Sequence, residues 1–312
     1  MSGGLRLAAS RAAQTVAVLW AVYTLTFLMV VAAPGNPFQQ SAGRALDPSI
    51  ERALRERYGM RDNATFYVSY LRGLMRGDLG VSLEYRNWSC NRIIADGLPV
   101  SAAIGCAAIV IAVVAGVALG IAAARRPGGA MDKLTMGLSS LAVSVPAFVS
   151  GAGLLILFSV VWPLLPVGSW GGFADVWRPA LTVSLLPMAY ICRLTRSGMQ
   201  EALASDFVRT ARASGLPERA VLLRHALPAA LLPVLSYLGP AAAWALTGSF
   251  VVEKVFNIPG LGLHFVNAVL NRDQMLVLAI VLVSAALLVL FNALTDLAYA
   301  WIDPRISTEA AA

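Results

Sequence analysis

Lysine is nearly missing from this sequence: its 312 residues hold two, Lys133 and Lys254, against 22 arginines. A nucleotide-binding P-loop needs glycine directly before its lysine, in the pattern G-x-x-x-x-G-K-[ST]. Asp132 and Glu253 hold those places, so the chain lacks that means of binding ATP. Histidine is equally scarce, with His225 and His264 alone, and no H-E-x-x-H run occurs. The three cysteines, Cys90, Cys106 and Cys192, show no metal spacing such as C-x2-C. No metal and no cofactor is expected on this chain. Cys106 and Cys192 fall in apolar runs and read as small core residues. Cys90 lies in a polar stretch without a nearby partner, so no disulfide framework is implied. Charge is the largest deficit: 13% of residues are charged, where soluble domains carry about 25%.

What fills the chain is apolar, 58% of residues with a mean hydropathy of +0.71. Such a composition cannot cover a surface in water. The net charge of +7 could suggest nucleic acid, but no basic patch is interleaved with aromatics. The arginines instead sit beside apolar runs, where they set membrane orientation. A bilayer core about 30 Å thick takes roughly 20 helical residues, and lipid leaves no partner for unpaired amides. Six stretches satisfy this, at approximately 12–33, 99–124, 134–162, 178–198, 229–252 and 274–297. The fourth is short of apolar residues because of Arg193 and Arg196, and its Pro187 predicts a kink. The first is too long for a signal-peptide core and is followed by Ala33-Pro-Gly-Asn-Pro37 in place of a cleavage site. It reads as a retained span.

With both termini cytoplasmic, twelve Arg and Lys fall inside and twelve outside. Nine of the outer twelve lie in the single loop 34–98, and loops of that length translocate regardless of charge. Without it the count is twelve against three, which places the termini inside. The organisation is a first segment with span one (1–33), an extracytoplasmic loop (34–98) and a core of spans two to six (99–312). A cytoplasmic loop at about 199–228 interrupts that core. In the outer loop, Asp47 and Pro48 start a helix with Ile50, Leu54 and Tyr58 on one face and Gly59 as its stop. A second helix is expected over about Ala64–Arg76, ended by Gly77, and a short third over 89–96. Stripes of small residues, Ala112, Gly116, Gly120 and Ala124 on span two and Gly239 and Ala243 on span five, mark close helix contacts. Either a partner subunit or this chain's own helices could fill them.

The cytoplasmic segment carries the most information. Ser205 or Asp206 can cap a helix running through Ala213, Gly215 supplies a left-handed stop, and Pro217 fits the start of the next helix. Ala211, Ala213 and Gly215 keep one side of this elbow thin. Phe207 and Val208 are apolar side chains with no span to occupy. Local physics alone would lay the elbow on the inner leaflet, with Arg209, Arg212 and Arg219 toward anionic lipid.

The run Arg209-Thr210-Ala211, then Gly215, then Leu227-Pro228, resembles the EAA loop of binding-protein-dependent ABC importer permeases. The version is that of the peptide and nickel subfamily, the dipeptide and oligopeptide permeases of the B type, where the first acidic residue is replaced. Ala33-Pro-Gly-Asn-Pro37 resembles that subfamily's turn after span one, with Asn36 where aspartate is usual. Arg76-Gly-Asp-Leu-Gly80 with Ser82, Leu98-Pro99, Pro259-Gly-Leu-Gly262 after Val252-Glu253, and Asp303-Pro-Arg-Ile306 follow in family order. The resemblance implies an all-α type I importer permease of six transmembrane helices in a bacterial cytoplasmic membrane. It implies import of peptides, or of a nickel chelate or another small solute. The implied partners are a second homologous permease, two ATP-binding cassette ATPases that carry the ATP, and an extracytoplasmic binding protein; nucleic acid is not among them. The implied coupling residues are Asp206, Phe207, Val208, Arg209, Thr210, Ala211, Gly215, Leu216, Leu227 and Pro228.

Two rivals are disfavoured by absences. An ion-coupled transporter places ionisable residues inside its spans, and the cores of spans two, three, five and six have none. An intramembrane hydrolase would need a base beside a nucleophile, yet Ser249, after Gly248, has no histidine in its span. Trp162, Trp170 and Trp177 cluster where an interfacial aromatic belt is expected.

Overall fold

The computed structural model describes residues 2–38, 47–85, 87–162, 170–171 and 173–302. Its helices are, in order, α1 (Ser2–Ala32), α2 (Pro48–Arg57), α3 (Asn63–Leu74), α4 (Cys90–Ala124), α5 (Ala130–Ser144), α6 (Ala147–Leu155) and α7 (Phe173–Ala204). They continue as α8 (Asp206–Ala213), α9 (Glu218–Ala220), α10 (Leu227–Ala230), α11 (Leu232–Val255), α12 (Leu261–Leu270) and α13 (Gln274–Ile302). One π-helical turn, Ile156–Val161, extends α6, and another, Val221–Ala226, joins α9 to α10. Among the described residues, extended pairing is limited to an isolated bridge between Val81 and Ser89. The described residues divide into two compact units, one of residues up to Ser101 with Pro259–Leu290, the other of Ala102–Ile258 with the end of α13 from Phe291.

Three helices are long and apolar enough to cross a bilayer unbroken, through Ser10–Ala32, Cys90–Ala124 and Gln274–Thr295. Two more candidates are bent. The run expected as one span over 134–162 turns through 105° between Ala130–Ser144 and Ala147–Val161. Pro146 explains the break: its ring drives the preceding residue out of the helical region, and Val145 is extended at φ −92°, ψ 124°. The fifth run turns through 54° between Glu218–Ala230 and Leu232–Ala245. There Pro233 brings no amide to the Ala229 carbonyl. The fourth run behaves the other way. α7 continues without a break through Pro179 and Pro187, and its charged residues keep it out of the set apolar enough to span.

In the first unit an aromatic core joins α1 to α3. Tyr23 stacks on Tyr70 with ring centroids 5.8 Å apart, Phe27 meets Phe66 at 5.1 Å, and the Tyr23 hydroxyl donates to the Tyr67 carbonyl at 2.7 Å. The Asp47 cap lies where the sequence places it, and Asp62 adds a cap that the sequence reading did not name. The Asp47 carboxylate accepts from the Ser49 amide at 2.8 Å, and Asp62 accepts from Thr65 at 2.8 Å, starting α3 at Asn63. Gly59 and Gly77 take φ of +68° and +75°. The separate helix expected over 89–96 does not form; those residues are the first turns of α4, which continues through Pro99. Ile93, Ile94, Val100 and Ile104 are all buried around Pro99, and that packing outweighs one missing hydrogen bond. Gly97 admits the Pro259-Gly-Leu-Gly262 turn, since a Cβ there would stand 3.2 Å from backbone atoms of Gly260 and Leu261. The Ser101 hydroxyl accepts from the Leu261 amide at 2.8 Å.

The strongest polar anchor of this unit is Asp273, fully buried just before α13. One carboxylate oxygen caps α13 by accepting from the Leu276 amide at 3.0 Å. The other accepts from the Ser82 hydroxyl and from the amides of Leu83 at 3.0 Å and Glu84 at 3.3 Å. Cys90, placed by its sequence among polar residues, is completely buried here.

In the second unit the small-residue stripes are filled by the chain itself. A Cβ on Gly116 would stand 2.9 Å from the Met188 carbonyl oxygen, and one on Gly120 would stand 2.7 Å from that of Cys192. α4 and α7 thus meet backbone to backbone. Gly239 likewise faces Thr295 and Asn292 of α13. Arg196 of α7 grips Asp132 of α5 with two hydrogen bonds, at 2.5 and 2.8 Å, and the Gly128 amide donates to the same carboxylate. Ser249 is buried with its hydroxyl donating to the Glu253 carboxylate at 2.8 Å. Cys106, expected in the core, is exposed, while Cys192 is buried. Phe158 packs edge-on against both Trp162 and Trp177. Asp303 and Arg305 lie outside the described residues.

Candidate functional site

The elbow forms from the residues that predict it. α8 runs Asp206–Ala213 with Ser205 in the N-cap position at φ −73°, ψ 157°. Ser205 turns its hydroxyl back to the Ala202 carbonyl, at 2.5 Å, and leaves the helix start uncapped by a side chain. Asp206 is the first helical residue; its charge suits the positive end of the helix, and it pairs with Arg209 at 3.2 Å. The Thr210 hydroxyl donates to the Asp206 carbonyl, and that of Ser214 to the Thr210 carbonyl.

Gly215 stops α8 in the left-handed region at φ +76°. Its amide donates to the Arg212 carbonyl at 3.0 Å, and the Leu216 amide reaches the Ala211 carbonyl at 3.4 Å. These bonds satisfy carbonyls that a helix end otherwise leaves unpaired. Pro217 occupies the cap position of α9 at φ −63°, ψ 144°, one residue earlier than expected. Arg212 closes the turn with a forked contact to Glu218 at 2.9 and 3.4 Å. That hydrogen bond raises the Arg212 pKa above its ordinary value. Both partners are exposed, so water screens the pair and it orients the turn more than it stabilises it.

The face that α8 buries corrects the sequence reading. Val208 and Ala211, expected on the docking face, point into the chain's own core beside Met199, Ala202, Val221, Leu222 and Ala226. The reason is their spacing of three, which places them on one stripe, and Val221 and Leu222 in the returning π-helical turn complete the cluster. The return is close: a Cβ on Gly198 would stand 2.9 Å from Ala230 backbone atoms. Leu227 is half-buried against the same cluster. What remains exposed from the expected set is Asp206, Phe207, Arg209, Thr210, Gly215, Leu216 and Pro228. Phe207 is 50% exposed, and Leu223, which the sequence reading passed over, is 55% exposed. Leu223 sits in the π-helical turn, where helical periodicity gives no guide to its direction. The Arg212–Glu218 contact was also passed over, and its one signal in the sequence is opposite charges flanking the Gly-Leu-Pro turn.

Nothing at the elbow is arranged for bond-making chemistry. His225 places Nδ1 3.3 Å from the Ala220 carbonyl oxygen. Among the described residues, no group of three or more His, Cys, Asp or Glu side chains could hold a metal ion. The geometry suits a docking element: an amphipathic two-turn helix fixed on one side, with an aromatic ring and a leucine turned out on the other.

Residues 116–308 match a family described as the binding-protein-dependent transport system inner membrane component. Over 305 residues the chain is 42% identical to the oligopeptide transport system permease protein OppB of Escherichia coli K12, covering 97% of this chain and 99% of that protein. It is 39% identical, over the same shares, to the OppB protein of Haemophilus influenzae. It is 38% identical over 291 residues to the dipeptide transport system permease protein DppB of Bacillus subtilis, covering 93% and 94%.

Proposed function

Because the chain belongs to the family of binding-protein-dependent transport system inner membrane components, we infer that it is a transmembrane permease subunit of an ABC importer for peptides. The observation that carries this is identity of 38–42% along nearly the whole chain to proteins named as oligopeptide and dipeptide permeases. The cargo follows from those names. The chain forms half of a pathway whose other half is a second, homologous permease. Two ATPases supply ATP hydrolysis, consistent with the missing P-loop, and an extracytoplasmic binding protein delivers the peptide.

The elbow is the coupling element in this reading. Its exposed Phe207, Leu216 and Leu223 need an apolar partner, and a groove on an ATPase offers one. Closure of two ATPases on ATP would draw two elbows together and tilt the attached spans. Val208 and Ala211 serve this indirectly, by locking α8 to α7 so that the elbow moves as a rigid lever. The six spans are α1, α4, the bent pair α5–α6, α7, α11 with its bent approach, and α13, with both termini cytoplasmic and the chain in a bacterial cytoplasmic membrane.

Co-purified with its partner subunits and reconstituted with binding protein, the complex should take up labelled peptide only with ATP inside the vesicles. Uptake by this chain alone, or of nickel chelates but no peptide, would overturn the reading. Orientation has its own test in a variant with Cys90, Cys106 and Cys192 replaced. Ser82 suggests itself as an outer label site but is buried against Asp273, so exposed Arg76 takes its place. Arg76→Cys should react with an impermeant maleimide in intact cells, and Ser214→Cys only after permeabilisation. The reverse pattern would invert the topology.

A further inference from the structure

Arg125 and Arg126 follow directly on α4, whose apolar stretch is long enough to cross a bilayer. Side chains at that position lie at the level of lipid head groups. With Arg212 of the elbow they rim a pocket of about 490 Å3. Glu218, the acidic side chain in its lining, is held by Arg212 at 2.9 Å. Beyond the Arg212 hydrogen bond, Arg125 also acts on Glu218, helping to hold its carboxyl below the usual carboxylate range. Even so, three arginines against one carboxylate leave the rim with a net positive charge. Met131 and Leu203 supply an apolar wall beside them.

We propose that this pocket seats the head group of an anionic phospholipid, phosphatidylglycerol or cardiolipin in type, and that the lipid clamps the elbow to the spans. Guanidinium forks match phosphate oxygens in pairs, and basic pockets between membrane helices on the cytoplasmic side suit such head groups. The apolar wall distinguishes a lipid from an acidic peptide segment: acyl chains running back along the helices cover exposed Met131 and half-buried Leu203, which a charged segment would leave wet. The lining comes from the end of α4, the start of α5, the end of α7 and the elbow itself. One bound phosphate therefore ties the lever to three helices, and the anionic fraction of the membrane sets how stiffly it transmits.

The proposal rests on the permease reading for its consequence but not for the binding itself, and two measurements separate them. First, the complex purified in detergent and stripped of lipid is offered phosphatidylglycerol or phosphatidylethanolamine and examined by native mass spectrometry. The wild type should retain phosphatidylglycerol in preference. Arg125→Gln with Arg126→Gln should weaken that retention about tenfold or more, as two lost cationic contacts to anionic lipid imply. Arg125→Lys with Arg126→Lys, which keeps the charge but loses the paired geometry, should fall between the two. Second, in vesicles of phosphatidylethanolamine with increasing phosphatidylglycerol, peptide-stimulated ATP hydrolysis should rise for the wild type and stay flat for the glutamine pair. Equal retention by wild type and glutamine pair overturns the proposal, as does a lysine pair as defective as the glutamine pair. Loss of the ATPases from the glutamine pair in lipid-free detergent would also overturn it, by making the pocket an ATPase docking surface. If peptide transport fails altogether while the retention pattern holds, the permease reading falls and the lipid site stands.

Discussion

Gly215→Val is expected to lower peptide uptake and peptide-stimulated ATP hydrolysis together, by about tenfold, while the chain accumulates in the membrane at wild-type levels. The structure isolates the cause. A Cβ at Gly215 would meet nothing within 4 Å, so crowding within the chain is not involved. The backbone conformation is, because φ is +76° and a left-handed L-residue costs roughly 1–2 kcal/mol, with a β-branched one at the upper end. Relieving that strain means giving up the Gly215–Arg212 and Leu216–Ala211 hydrogen bonds and redirecting α8 against its partner. A tenfold change in an equilibrium corresponds to about 1.4 kcal/mol, so the strain is large enough. Gly215→Asn is the control: asparagine tolerates the left-handed region far better and should stay near wild type. Asp206→Ala should be milder than the valine, since Asp206 is exposed and pairs with a neighbour on its own helix. Wild-type uptake by the valine variant, or equal defects in valine and asparagine variants, would remove the elbow from the coupling path.

Asp273→Ala should produce the largest loss of stability. It removes the cap of α13, worth about 1 kcal/mol. It also strands the Ser82 hydroxyl and the Leu83 amide, both buried, at about 1–3 kcal/mol each. The sum is roughly 3–7 kcal/mol, and it falls on the first unit, where residues 82–84 are held to the start of α13. The purified protein in detergent should melt several degrees lower, and limited proteolysis should open the segment around residues 78–85. Asp273→Asn keeps one acceptor oxygen and should lie between wild type and alanine. Ser82→Ala, losing a single bond, should be milder still. An alanine variant that melts with the wild type would mean that the anchor contributes nothing.

Much was legible because it is local. The cap at Asp47, the left-handed stops at Gly59, Gly77 and Gly215, and the α8 boundaries all depend on residues within a few positions of each other. Long apolar runs announce themselves because a bilayer demands length and hydropathy, which are one-dimensional quantities. Proline was less readable. Pro146 breaks the third run and Pro233 accompanies the bend in the fifth, yet α7 passes two prolines and α4 passes Pro99 unbroken. One missing amide bond is a small term, and whether a helix continues depends on what packs on both sides of it.

By itself, then, the sequence determined the class of the protein, its apolar helices, the position and shape of the elbow and, through ordered motifs, its family. Only the tertiary structure decided which side of the elbow is free. Val208 and Ala211 are as apolar as a docking surface requires, and nothing local says that Val221 and Leu222 return to cover them. It also assigned the glycine stripe of α4 to α7, made Asp273 the anchor of residues 82–84, and brought Arg125, Arg126 and Arg212 to one pocket. The partners lie from about a dozen to nearly two hundred residues apart. Contacts at such separations are chosen by whole-chain packing, which a local pattern of side chains does not encode.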